Sequence, residues 1–137
     1  MADGDKMEVW GTYQPTSSAF SVNLKDIHGS YLIHVNFRPA EQTTVLSSKL
    51  STRWDESIYS PFPGFRTGEQ FKITLECKSR EFRIYVNDKE LSETFLYRAD
   101  LSSAVTVSLE GGSCGLTWDR VSLPEATSPK GIKTIKL

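Results

Sequence analysis

Tyr31-Leu32-Ile33-His34-Val35-Asn36-Phe37-Arg38 is the stretch on which the reading of the fold turns. Apolar and polar residues alternate. In an extended chain Ile33, Val35 and Phe37 fall on one face, and His34, Asn36 and Arg38 on the other. A helix would scatter both sets around its circumference. The alternation predicts a strand with one face in a core and one polar face, as an antiparallel sheet covered on one side requires.

The same rhythm runs outward in both directions. Upstream, Met7 to Tyr13 alternates until Gly11 interrupts, and Phe20, Val22 and Leu24 share a face, with a turn over Pro15, Ser17 and Ser18 between the two runs. Downstream, Thr44 to Leu50 opposes Leu46, Ser48 and Leu50 to Val45, Ser47 and Lys49. A loop is expected from Ser51 to Gly68. Then Phe71, Ile73, Leu75 and Cys77 alternate, as do Phe82, Ile84 and Val86, joined by the hairpin-length Lys78-Ser79-Arg80. Asn87-Asp88 marks another turn. Val105, Val107 and Leu109, then Leu116 to Leu123, then Ile132 to Leu137 complete the strand candidates, and Ala99 to Ser103 suits one helical turn. Many short strands at close spacing predict an all-β, two-sheet antiparallel β-sandwich.

Composition narrows function by exclusion. The 137 residues suit one domain, and the hydrophobic fraction of 38% supports a core without disulfide or metal. Lys and Arg number 16 against 17 Asp and Glu, a net charge of -1 scattered along the chain. No electrostatic excess favours nucleic acid or an anionic membrane. No run is apolar enough to span a bilayer, and the polar opening Met1 to Lys6 does not look like a secretory signal. Cys77 and Cys114 lack metal-ligand spacing and read as reduced thiols, Cys77 facing the core, with a disulfide between them as the alternative. No metal site and no cofactor are expected.

His34, Asn36 and Arg38 form the best constellation. Their side chains step along one face at about 6–7 Å intervals. Imidazole and carboxamide each donate and accept, and guanidinium offers a planar fork of donors, which together suit a rigid frame bearing several hydroxyls. Ser47 and Lys49 extend this polar face from the next strand. A plain solvated sheet face gives the same pattern. Trp54 follows soon after and offers a flat apolar surface for the C–H face of a sugar, or else anchors a loop. Catalytic readings are poorer. No nucleophile motif surrounds His28 or His34, and Asp55 and Glu56 are adjacent, so in a strand they point apart, while in a loop they could converge with nothing that demands a glycosidase. An enzyme is not expected, and no catalytic residue is assigned.

His34-Val35-Asn36-Phe37-Arg38 resembles the H-x-N-P-R signature of the galectins, and Val45-Leu46-Ser47-Ser48-Lys49 resembles their V-x-N-S-K segment. Trp54 then falls at the spacing of the galectin stacking tryptophan. Gly4 to Gly11, Ser18 to Leu24, Pro61 to Ile73 and Phe82 to Asn87 are similar to further family strands, so the likeness runs from about residue 4 to residue 123. The resemblance implies a jelly-roll sandwich and a single carbohydrate-recognition domain over residues 1–137. It also implies a shallow site for β-galactoside glycans held by His34, Asn36, Arg38 and a stacking Trp54. Pairing into a homodimer and a cytoplasmic location with export independent of a signal peptide are family properties that it implies as well.

The departures from the family pattern concern the same site. Ser47 stands where the family has asparagine, Phe37 where it has proline, Ser57 where it has glutamate and Tyr59 where it has arginine. Glu56 lies one residue early, and a shortened loop would bring its carboxylate to Arg38. Each hydrogen bond lost to a buried partner costs about 1 kcal/mol or more. The expectation is therefore a lectin of altered specificity, with a second reading as a family member that has lost sugar binding and works through protein contacts. The strand that usually opens the domain is expected to be missing or displaced before Gly4, and residues 131–137 are a candidate to fill that edge as part of a tail from 124 to 137.

Overall fold

The structure is a computed structural model that describes residues 1–14, 19–111 and 116–124 and the backbone of 134–136. Thirteen strands are described: β1 Lys6–Thr12, β2 Phe20–Lys25, β3 Tyr31–Arg38, β4 Thr43–Leu50, β5 Arg53–Trp54, β6 Ile58–Pro61, β7 Gln70–Lys78, β8 Glu81–Val86, β9 Lys89–Glu90, β10 Phe95–Leu96, β11 Thr106–Gly111, β12 Thr117–Ser122 and β13 Thr134–Lys136. Short 3-10 turns cover Pro39–Glu41 and Leu101–Ser103, the second within the stretch where one helical turn is expected.

Two sheets result. One runs β10-β8-β7-β1-β12, with β9 on β8; the other runs β13-β11-β2-β3-β4-β5, with β6 on β4. The all-β sandwich of the sequence reading is the observed architecture. Period two explains why. Met7, Val9, Ile73, Leu75, Phe82 and Ile84 from the first sheet meet Val22, Leu24, Ile33, Val35, Phe37 and Leu46 from the second, all essentially removed from water. Fully burying one such side chain contributes about 1.5–3 kcal/mol, so a one-residue slip in any strand would forfeit several at once. Cys77 is buried in the same core. Cys114 and the turn over residues 15–18 lie outside the described residues.

Local chemistry sets the corners. Gly11 sits at a bulge against β12, where a Cβ would meet Phe71 Cζ at 2.6 Å and the Thr117 carbonyl oxygen at 2.8 Å, so only glycine fits between ring and strand. The β7–β8 hairpin turns on Ser79 and Arg80, at φ 56° and 65°. The stretch from Ser51 to Gly68, expected to be a loop, carries β5 and β6. These strands are too short to show a period. They form because β4 offers them backbone partners, Trp54 against Lys49 and Tyr59 against Val45. The backbone of β13 runs parallel to β11, Thr134 beside Thr106 and Lys136 beside Ser108, at the edge of the second sheet.

Candidate functional site

The outer face of the second sheet is built from rows of residues in register. Ser108 of β11, Asn23 of β2, His34 of β3 and Ser47 of β4 make one row; Glu110, Ser21, Asn36, Val45 and Tyr59 make the next. His34, Asn36 and Arg38 thus share a face, opposite the core residues Ile33, Val35 and Phe37. Trp54 arrives from β5 beside this face. Its indole is 46% exposed, and its centroid lies 4.9 Å from the His34 imidazole and 5.2 Å from the Tyr31 ring. The Lys49 ammonium lies 5.6 Å from the same indole, within cation–π range.

The His34 ring is held at both nitrogens. Nδ1 lies 2.5 Å from Asn23 Oδ1 and Nε2 lies 3.2 Å from Asn36 Nδ2. Asn23 is wholly buried, and its Nδ2 already faces three acceptors: the Ser21 hydroxyl at 3.0 Å, the Ser108 carbonyl at 3.1 Å and Glu110 Oε2 at 3.0 Å. Flipping that amide would aim a carbonyl oxygen at a carbonyl and a carboxylate. Asn23 Oδ1 therefore faces His34, Nδ1 carries the proton, and Nε2 keeps its lone pair. Burial holds the imidazole down at about 4, with Glu110 pulling upward and Arg38 pushing down. The Tyr31 hydroxyl donates to Glu110, and burial, that bond and the carboxylate's charge all push the phenol upward. Asn36 Oδ1 is buried without a hydrogen-bond partner among the described residues.

The remaining residues singled out from sequence fall as follows. Arg38 Nη1 pairs with Glu41 at 3.4 Å, on the 3-10 turn that continues its own strand. Ser47 is buried beside His34, and its hydroxyl donates to the Asp55 carbonyl at 3.0 Å. Glu56 is exposed, and its main-chain carbonyl accepts from Arg98 Nη1 at 2.7 Å. The acidic partner of Arg38 in the structure is thus Glu41, and the Glu56 segment is tied instead to Arg98. Tyr59, at the family's arginine position, is 63% exposed on the row of Asn36.

Four contributors escaped the sequence reading: Asn23, Tyr31, Glu110 and Arg98. Asn23 and Ser21 alternate with the core residues of β2, a signal that was legible. Glu110 lies 76 positions from His34 in the chain, and only the pairing of β11 with β2 brings it near. Arg98 lies its guanidinium 4.4 Å from the Phe95 ring and donates to Ser48 Oγ at 3.2 Å, latching the segment after Trp54 to the end of the other sheet. Among the described residues no cluster of His, Cys, Asp and Glu is arranged to hold a metal ion, and no helix is long and apolar enough to cross a membrane.

Comparison with known proteins gives this geometry a context. The model of the galactoside-binding lectin family matches residues 1–113. Galectin-4 of Sus scrofa is 25% identical over 103 residues, which are 74% of this chain and 32% of that protein, so the chain spans about a third of the relative's length. Among solved structures, Caenorhabditis elegans galectin LEC-6 superposes with a TM-score of 0.76 at 20% identity, covering 88% of this chain and 84% of that one. Chicken galectin 2 does so at 0.74 and 21%, covering 89% and 91%. These structural likenesses carry the fold, and the family model carries the kinship. The chain therefore belongs to the galactoside-binding lectin family.

Proposed function

We propose that this chain binds galactose-containing glycans on the outer face of its seven-stranded sheet, with His34, Asn36 and Arg38 supplying hydrogen bonds and Trp54 a stacking surface. The observation that carries this reading is the shared face: three hydrogen-bonding side chains in register beside a half-exposed indole. His34 Nε2 accepts from a sugar hydroxyl, and Arg38 donates to one. A ligand that draws the Asn36 amide away from His34 Nε2 also gives its orphaned oxygen a partner, relieving a burial penalty of about 1–3 kcal/mol. Specificity differs from the family pattern, because Tyr59 and Ser57 offer no cation–carboxylate pair beyond the galactose and Arg38 is matched to Glu41. Homodimerisation, a cytoplasmic location and signal-independent export accompany this reading. A glycan array on the purified chain tests it: signal on terminal β-galactosides is expected, and a blank array rejects it.

A second reading has its own support in Tyr59, an aromatic ring left 63% exposed where the family carries arginine. In this reading sugar binding is lost and the face meets a protein. A partner interaction that survives excess lactose and the Trp54→Ala change would favour it over the first.

A further inference from the structure

Glu110 lies outside every motif that carries the resemblance to the galectins, yet its carboxylate touches both halves of the site. Oε2 accepts from Asn23 Nδ2 at 3.0 Å, and Oε1 and Oε2 accept from the Tyr31 hydroxyl at 3.0 and 3.2 Å. From Asn23 the chain of contacts continues to His34 Nδ1; from Tyr31 it continues to the Trp54 indole and, edge-on at 86° and 5.7 Å, to the His34 ring. We propose that Glu110 is the positioning residue of this face: through Asn23 it fixes the His34 tautomer, and through Tyr31 it fixes the surface on which the Trp54 indole rests. This rests on the reading of His34 and Trp54 as the sugar-binding pair.

The physical case has three parts. First, the bonds from Glu110 are charge-assisted and so roughly twice as strong as neutral ones. They act on Asn23, which is wholly buried and whose amide also faces the Ser21 hydroxyl and the Ser108 carbonyl. Second, the backbone puts the carboxylate where it can act. Glu110 faces Ser21, which faces Asn36, so its side chain shares the outer face with the site. Gly111 follows at φ 78°, and a Cβ there would run into the Ala19 carbonyl oxygen, so the strand ends against β2 only because that residue is glycine. Third, the consequence is chemical. With the proton fixed on Nδ1, Nε2 offers a lone pair, so the face selects a ligand whose hydroxyl donates at His34. A positioning network of this kind is how binding side chains are kept to one geometry before the ligand arrives.

The test uses nitrogen-15 imidazole spectra and the assigned Trp54 indole N–H resonance of the sugar-free protein. The wild type should show a single His34 tautomer, with Nδ1 protonated. Glu110→Ala should shift both the His34 Nδ1 signal and the Trp54 resonance. Glu110→Gln should restore both signals, because one amide oxygen in the place of Oε2 accepts from Asn23 and Tyr31 together. Tyr31→Phe keeps the ring and cuts one arm only, so it should shift Trp54 and leave the His34 nitrogens unchanged; it tests the Trp54 arm, and Asn23→Asp the His34 arm, even if Glu110→Ala does not fold. Glu110→Ala or Tyr31→Phe spectra identical to wild type at both residues would overturn the proposal, as would a wild-type His34 protonated on Nε2. Lactose titration of the wild type is read separately: its failure rejects the sugar reading, while the tautomer spectrum reports on Glu110 regardless.

Discussion

The imidazole of His34 and the indole of Trp54 lie 4.9 Å apart with their planes inclined at 54°, so the residue offered as a hydrogen-bonding group and the residue offered as a stacking platform form one surface. Tyr31 backs both rings. A flat ligand edge that reaches His34 Nε2 must therefore pass beside the indole, and apolar contact and hydrogen bonding become a single event.

Trp54→Ala should separate binding from stability. Aromatic contacts of this size contribute about 0.5–1.5 kcal/mol beyond the area they bury, so lactose affinity should fall by about tenfold or more. The indole is 46% exposed and lies outside the core, so the melting temperature should scarcely move. Calorimetric titration alongside thermal melting checks both, and unchanged affinity would remove Trp54 from the site.

Acid should act on His34 in two distinguishable ways. Its folded-state value, held at about 4 by burial, lies below the roughly 6.5 of an exposed imidazole in the unfolded chain. Between the two, the unfolded state takes up a proton that the folded state refuses. The stability His34 contributes is thus complete above about pH 6.5 and is lost as pH falls toward 4. Binding depends on the Nε2 lone pair, so lactose affinity should stay flat down to about pH 5 and fall near 4. An affinity decline centred near 6.5 would show an imidazole that is not buried as described.

Arg98→Ala should weaken the site from a distance. It removes the bonds to Ser48 Oγ and the Glu56 carbonyl and the guanidinium over Phe95. Hydrogen bonds to a charged donor contribute about 1.5–3 kcal/mol, discounted here because Glu56 is exposed, so a loss of about 1–2 kcal/mol is expected in urea unfolding. Lactose affinity should drop with it, because the freed segment directly follows Trp54. Loss of stability with full affinity would mean that the segment does not depend on this latch.

The β7–β8 hairpin offers a gain. Ser79 and Arg80 both occupy the left-handed region, which costs roughly 1–2 kcal/mol per L-residue and which Asn and Gly tolerate far better. Ser79→Asn with Arg80→Gly should stabilise the domain by about 1 kcal/mol in chemical denaturation and leave lactose binding untouched. A destabilised double variant would contradict the turn geometry.

How much of this was legible in the sequence depends on the range of the interaction involved. The strand around His34 was readable because alternation is local: each residue declares its face by its neighbours, and Ile33, Val35 and Phe37 went where period two sends them. β5 and β6 were not, since a two-residue and a four-residue strand show no period and exist only because β4 pairs with them. The role of Glu110 was hidden for a related reason: the pairing of β11 with β2 joins residues far apart in the chain, and nothing near Glu110 marks it. Arg98 was missed because its partners are a hydroxyl and a main-chain carbonyl, neither of which advertises itself by charge.

The most direct test is a lactose titration followed by nuclear magnetic resonance on the uniformly labelled chain. The side-chain signals of His34, Asn36, Arg38 and Trp54 should move together along one saturable curve, and in Trp54→Ala the curve of the remaining three should shift to lactose concentrations about tenfold higher or more. Saturating lactose that leaves those signals in place, or moves signals elsewhere on the sandwich instead, would contradict a sugar site on this face.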